Sequence, residues 1–174
     1  LRFLSTLMAE APPLPARHGY YQRILAKDTA EAADLIECYV KSESPRSVYD
    51  GLVLPALNYA EMDRLEGRLT VDEEGSVLDI TRELLSDAAD HVARAEAGVR
   101  RGDPTPGLAT PLRVLGYPTN GTSDALALEV FAKAVNDLPV TLEMSSRLLA
   151  SEIAAWVDRE GIAVVCIADL PPSP

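Results

Sequence analysis

Beyond Pro111 the sequence alternates twice between short apolar runs and segments of helical spacing, and that alternation constrains the fold more than any other feature. Leu112-Arg113-Val114-Leu115-Gly116-Tyr117 reads as a strand. Ser123 to Asn136 reads as a helix carrying Leu126, Val130 and Ala134, and Val140-Thr141-Leu142-Glu143-Met144 as a second strand. Ser151 to Glu160 is a second helix ended by Gly161, and Ile162 to Ala168 a third strand. This order predicts a βαβαβ unit of a parallel sheet, with nearly all-apolar central strands because helices cover both faces. Trp156, at helical spacing from Ile153 and Glu160, is expected in the core or an interface.

The first hundred residues follow a different grammar. An apolar lead, Leu1 to Met8, and a stiff spacer, Ala11-Pro12-Pro13-Leu14-Pro15, precede a helical pattern from Tyr20 with Tyr21, Ile24 and Leu25 on one side. Asp28 and Glu31 form a capping box for a helix from about Thr29 to Lys41, with Leu35, Ile36, Tyr39 and Val40 as its apolar side. Ser44 before Pro45 signals another helix start, running to about Leu65, with Val48, Leu52, Ala56 and Tyr59 on a stripe. Pro55 inside this run removes one backbone hydrogen bond and predicts a kink near Gly51 and Leu52. Gly67 ends the helix, and Thr70 with Glu73 opens the next, in which Val77, Ile80, Leu84 and Ala88 share a face.

Four segments are therefore expected. They are a lead and spacer over 1–17, a helical bundle over 18–97, a Gly/Pro-rich linker over 98–111 and an α/β part over 112–174. Three strands are fewer than the about five that complete an open doubly wound sheet, so the expected fold class is α + α/β. An N-terminal helical bundle precedes a partial flavodoxin-like, Rossmann-like parallel sheet.

Charge and motif content exclude several functions. A net charge of -11, with no Lys/Arg run longer than Arg100-Arg101, repels phosphate backbones, so nucleic acid is not an expected partner. No run of about 18 apolar residues is present to span a membrane. Cys38 and Cys166 are read as small buried hydrophobes rather than a disulfide, and without CxxC spacing or a Cys/His cluster no metal site is expected. His18 is expected to be exposed, and His91 to be a partly buried packing residue. Asp72-Glu73-Glu74 fits the acidic first turn of a helix. No catalytic residue is assigned.

Open parallel sheets bind ligands at the carboxyl ends of their strands. Here those ends are Tyr117 to Asp124 and Asp169-Leu170-Pro171-Pro172. Asn120, Gly121, Thr122, Asp124 and Asp169 are thus the candidate ligand-binding residues, for an anion or a polar small molecule at a helix start. The competing reading is a polar loop that caps the helix through Thr122 or Ser123. Neither GxGxxG nor a P-loop lysine is present, so both nucleotide fingerprints fail.

The order of bundle, linker and flavodoxin-like part resembles the cobalamin-binding modules of methyltransferases and light-sensing regulators. Ile24-Leu25-Ala26-Lys27-Asp28 with Glu31-Ala32-Ala33, Val53-Leu54-Pro55-Ala56-Leu57 and Gly67 to Glu74 are similar to segments of the module's helical cap. The family's cofactor-facing Trp and Glu-His pair fall on Arg64, Glu74 and Gly75, making Arg64 and Glu74 the cap-face candidates. Its Asp-x-His-x-x-Gly loop falls on Thr122-Ser123-Asp124-Ala125-Leu126-Ala127, with Asp124 in place of the cobalt-ligating imidazole, and its Ser-x-Leu motif on Ala168-Asp169-Leu170. No cofactor is expected on this pattern, a carboxylate being a harder donor than imidazole. A cobalamin or corrinoid sensor lacking the lower His is the alternative reading.

A second resemblance spans nearly the whole chain. Leu1 to Met8, Tyr20 to Ala26, Val48-Tyr49-Asp50, Leu54-Pro55-Ala56-Leu57, Val114 to Pro118 and Val164 to Ala168 are similar to the C-terminal extension of some bacterial permeases of the autoinducer-2 exporter, or PerM-like, family. The resemblance implies a non-catalytic regulatory, ligand-sensing or assembly domain of a membrane transporter, on the cytoplasmic side of the bacterial inner membrane. Its implied partner is the protein's own transmembrane domain; an unidentified small ligand in the crevice near Asn120 to Asp124, and a second copy of the chain covering the apolar last strand, are the other expected partners.

Overall fold

The computed structural model describes residues 14–99, 111–146 and 148–171. The apolar lead, most of the Pro-rich spacer and residues 100–110 of the expected linker lie outside them. Four α-helices form the bundle: α1 (Ala16–Leu25), α2 (Thr29–Ser42), α3 (Leu54–Leu65) and α4 (Val71–Val99). They are followed by β1 (Leu112–Pro118), α5 (Thr122–Ala134), β2 (Val140–Met144), α6 (Ala150–Glu160) and β3 (Val164–Ala168).

Local chemistry sets the helix ends. The Asp28 carboxylate accepts the Glu31 N–H at 3.2 Å and so caps α2. At α4 the capping box is reciprocal: the Glu73 carboxylate accepts the Thr70 N–H at 2.9 Å, and Thr70 Oγ1 accepts the Glu73 N–H at 3.3 Å. Gly67 and Gly161 follow α3 and α6 with φ of 71° and 65°, left-handed conformations that cost glycine nothing.

The expected kink at Gly51 and Leu52 takes the form of a π-helical turn over Tyr49–Val53. Pro55 has no N–H to donate, and the Leu54 N–H reaches back five residues to the Tyr49 carbonyl. A Cβ on Gly51 would overlap the Tyr39 hydroxyl, so any larger residue there requires the Tyr39 side chain to move. Ser44-Pro45 opens this run through one tight turn, with the Ser47 N–H on the Ser44 carbonyl at 2.8 Å, and helical structure is unbroken from Ser47 to Leu65.

The three strands are parallel in the order β2-β1-β3. This is the start of a doubly wound, flavodoxin-like sheet with its topological switch point between β1 and β3. Gly116 lets the sheet pack closely, since a Cβ there would lie 3.2 Å from Leu128 and 3.3 Å from Leu142. β1 is buried at its centre. Cover on both faces was expected for central strands, and β1, the middle strand, has it; β2 and β3, at the edges, are only half-buried, with Met144 and Ile167 exposed. α6 contributes no buried residue, and Trp156 is half-exposed rather than core.

One hydrophobic core runs through both parts. Leu126 and Val130 of α5, both fully buried, belong to the cluster that includes Tyr20, Ile36, Leu57, Val77 and Leu84 of the bundle. Ion pairs reinforce the contact: Arg82 of α4 with Glu129 of α5 at 3.2 Å, and Arg46 with Glu96 of α4 at 2.5 Å and with Asp137 just after α5. Two side chains depart from expectation. Cys38 is exposed, because it lies roughly opposite Ile36 and Val40 on α2. His18 is half-buried and stacks on Tyr59 with ring centroids 4.7 Å apart.

Candidate functional site

The bundle meets the α/β part at the carboxyl end of β1. A cleft of about 380 Å³ lies there between α3 and α4 on one side and the β1–α5 turn on the other. Its lining brings together Arg64, Glu74, Asn120, Gly121, Thr122 and Asp124, six of the seven residues expected from sequence; Asp169 stands beside it, accepting a hydrogen bond from Asn120 Nδ2 at 2.9 Å. Val71, Gly75 and Leu78 supply an apolar strip. The volume suits a small metabolite, near the lower end of ligand sites.

Asp124 does not face a ligand. It is 1% exposed, and both its oxygens accept hydrogen bonds from within the protein. Oδ2 accepts the Asn120 N–H at 2.7 Å and the Thr119 hydroxyl at 3.0 Å, and Oδ1 accepts the Leu170 N–H at 2.8 Å. The carboxylate thus stitches the β1–α5 turn to the segment after β3, across the switch point. It also places the protein's own anion in the first turn of α5, where the helix dipole would otherwise favour a bound anion. The β1–α5 turn therefore already carries an anion of the protein's own. Nor is α5 capped through Thr122 or Ser123: its N-cap is Gly121, with φ of 155°, a region open in practice only to glycine.

Ser123 is engaged elsewhere. Its hydroxyl lies 3.0 Å from Glu61 Oε2 and 3.3 Å from Glu74 Oε1. Arg64 completes the cluster, pairing with Glu61 and placing Nε 3.2 Å from Glu74 Oε1. Glu61, only 5% exposed, was missed from sequence. The available signal was its place beside Leu57 and Ala60 on the apolar side of α3, where a carboxylate demands a partner three or four residues away. Burial would raise the Glu61 pKa, but hydrogen bonds from Arg64 and Ser123 outweigh it and hold the carboxyl below the usual range. Burial raises that of Glu74, with the Glu61 charge adding to the rise and Arg64 opposing it.

The residues do not fit a corrinoid held by a lower ligand. Asp124, which stands at the ligating position of the resembling family, is buried and hydrogen-bonded through both oxygens, so they cannot turn to a metal without unstitching the switch point. Among the described residues no group of three or more His, Cys, Asp or Glu side chains is placed to hold a metal ion, and no helix is long and apolar enough to cross a membrane.

No family model and no curated protein matches the chain. Among solved structures it is similar to the methanol:cobalamin methyltransferase complex MtaBC from Methanosarcina barkeri, with 11% identity and a TM-score of 0.41. The match covers 96% of this chain and 65% of that one.

Proposed function

We propose that the chain is a non-catalytic ligand-sensing module whose cleft takes a small polar molecule, cationic rather than anionic. The cleft supports this reading: it lies beside the switch point, on the face shared with the bundle, and its walls carry the carboxylates of Glu61 and Asp79 and the carboxyl of Glu74 against the single cation Arg64. A ligand there would touch the bundle and the β1–α5 turn together, so binding would be felt by both parts. The proposed setting is the one the permease resemblance implies, an appendage on the cytoplasmic side of a bacterial inner membrane. A topology reporter fused after Pro174 in the full polypeptide that reads periplasmic contradicts that setting.

A corrinoid sensor is the second reading, supported by the helical bundle standing over the carboxyl end of β1. Thermal shifts with n-butylamine, inorganic phosphate and hydroxocobalamin at matched ionic strength separate the readings. Stabilisation by the amine alone, abolished in Gly75→Leu, is the expected result. That substitution places a side chain in the cleft from a helical position with open space around its Cβ. Stabilisation by hydroxocobalamin with co-migrating colour favours the second reading, and an amine response that survives Gly75→Leu contradicts the first.

A further inference from the structure

The joint between bundle and sheet contains two carboxylates for one guanidinium. Glu61 and Arg64 come from α3, Glu74 from α4 and Ser123 from α5, so the cluster spans three elements and both parts of the protein. The other acidic groups on the same cleft are Asp79 on α4 and Asp124 on α5. α1 and α2, also packed against α4, contribute nothing to its lining. One Arg64 neutralises one carboxylate. A second ionised carboxylate in the same half-buried cluster faces like charge at short range, and such pairs retain a proton.

The hydroxyl of Ser123 makes the arrangement sensitive to that proton. It has one hydrogen to donate and sits within reach of two carboxyl oxygens. With Glu74 protonated, the hydroxyl donates to Glu61 and accepts from Glu74, and both contacts are attractive. With Glu74 ionised, one of the two becomes a contact between lone pairs.

We propose that Glu61, Arg64, Glu74 and Ser123 form a proton-operated latch, in which a proton held on Glu74 closes the bundle onto the β1–α5 turn and its loss to water in the cleft loosens that contact. The latch operates with or without a ligand in the cleft. Its direction follows from linkage. Glu74 holds its proton more tightly in the folded state, so its contribution is complete below the unfolded value of about 4.3 and is lost as pH rises to the folded value.

The test is side-chain carboxyl NMR on the full chain from pH 4 to 9, combined with exchange of the first hydrogen-bonded amides of α5, Ala125 to Leu128, expressed relative to the intrinsic rate at each pH. Glu74 is expected to titrate above ordinary glutamates. Protection at the first turn of α5 is expected to fall by up to about tenfold per pH unit between the ordinary and folded values, then level off. Glu74→Gln, which carries the protonated shape at every pH, is expected to keep protection flat. Titration of Glu74 at or below the ordinary value, or parallel loss of protection in wild type and Glu74→Gln, overturns the latch. If Glu74→Gln fails to fold, the wild-type titration and the flattened profile expected of Ser123→Ala decide instead.

Discussion

Asp124 and Leu170 are joined by a 2.8 Å hydrogen bond from the Leu170 N–H to the buried carboxylate, and this contact closes the switch point of the sheet. In an open sheet the crevice between β1 and β3 is where a ligand would enter. Here the protein's own carboxylate ties its two lips together, which moves the accessible space outward to the face shared with the bundle.

Replacing Asp124 by Asn keeps the shape but turns one acceptor into a donor that faces a backbone N–H. The variant is expected to lose about 3 kcal/mol, the order of a buried charged hydrogen bond left unmade. Urea denaturation measures the loss. Stability within error of wild type would mean that the carboxylate is not the stitch.

Leu126 sits on α5 but packs into the bundle core. Leu126→Ala is expected to cost about 2–5 kcal/mol. Native-state amide exchange should show that cost in α4 and α5 alike. A loss confined to α5 would show two separately stable parts.

Gly121 and Gly75 make an opposed pair. Gly121→Ala forces a side chain into a glycine-only conformation and is expected to destabilise by about 1–3 kcal/mol. Gly75→Ala, in the interior of α4 with open space around its Cβ, is expected to stabilise by roughly 1 kcal/mol. Thermal denaturation of the two variants side by side reads both signs.

On the acid side the sign of the pH dependence reverses. Glu61 is held below the usual carboxylate range, so its contribution is present above the unfolded value of about 4.3 and is lost as pH falls through the lower folded value. Urea midpoints between pH 2.5 and 5 are expected to fall more steeply for wild type than for Glu61→Gln. Equal slopes would remove Glu61 from the acid transition.

Much of the fold was legible where a single residue type serves a single local need. Asp28, the Thr70–Glu73 pair, Gly67 and Gly161 mark helix ends because orphaned amides and left-handed turns have few chemical solutions. Pro55 foretold the break in its helix, though not its π form. The candidate cleft was legible from topology, but the jobs of its residues were not. Asp124 looks like a ligand group until Leu170, 46 positions away, is seen to donate to it. Glu61 and Ser123 are separated by 62 positions, and no local pattern pairs them. Trp156 of α6 was expected in a core or an interface from periodicity, which says that a face is apolar but not what lies against it.

The most direct test is the site of binding itself. In a ¹⁵N chemical-shift titration with n-butylamine, saturable shifts are expected at Gly75, Asn120, Gly121 and Thr122, which line the cleft. Shifts spread over the acidic surface, or centred on the second cavity between Ser44–Leu54 and Phe131 of α5, would contradict binding in the cleft.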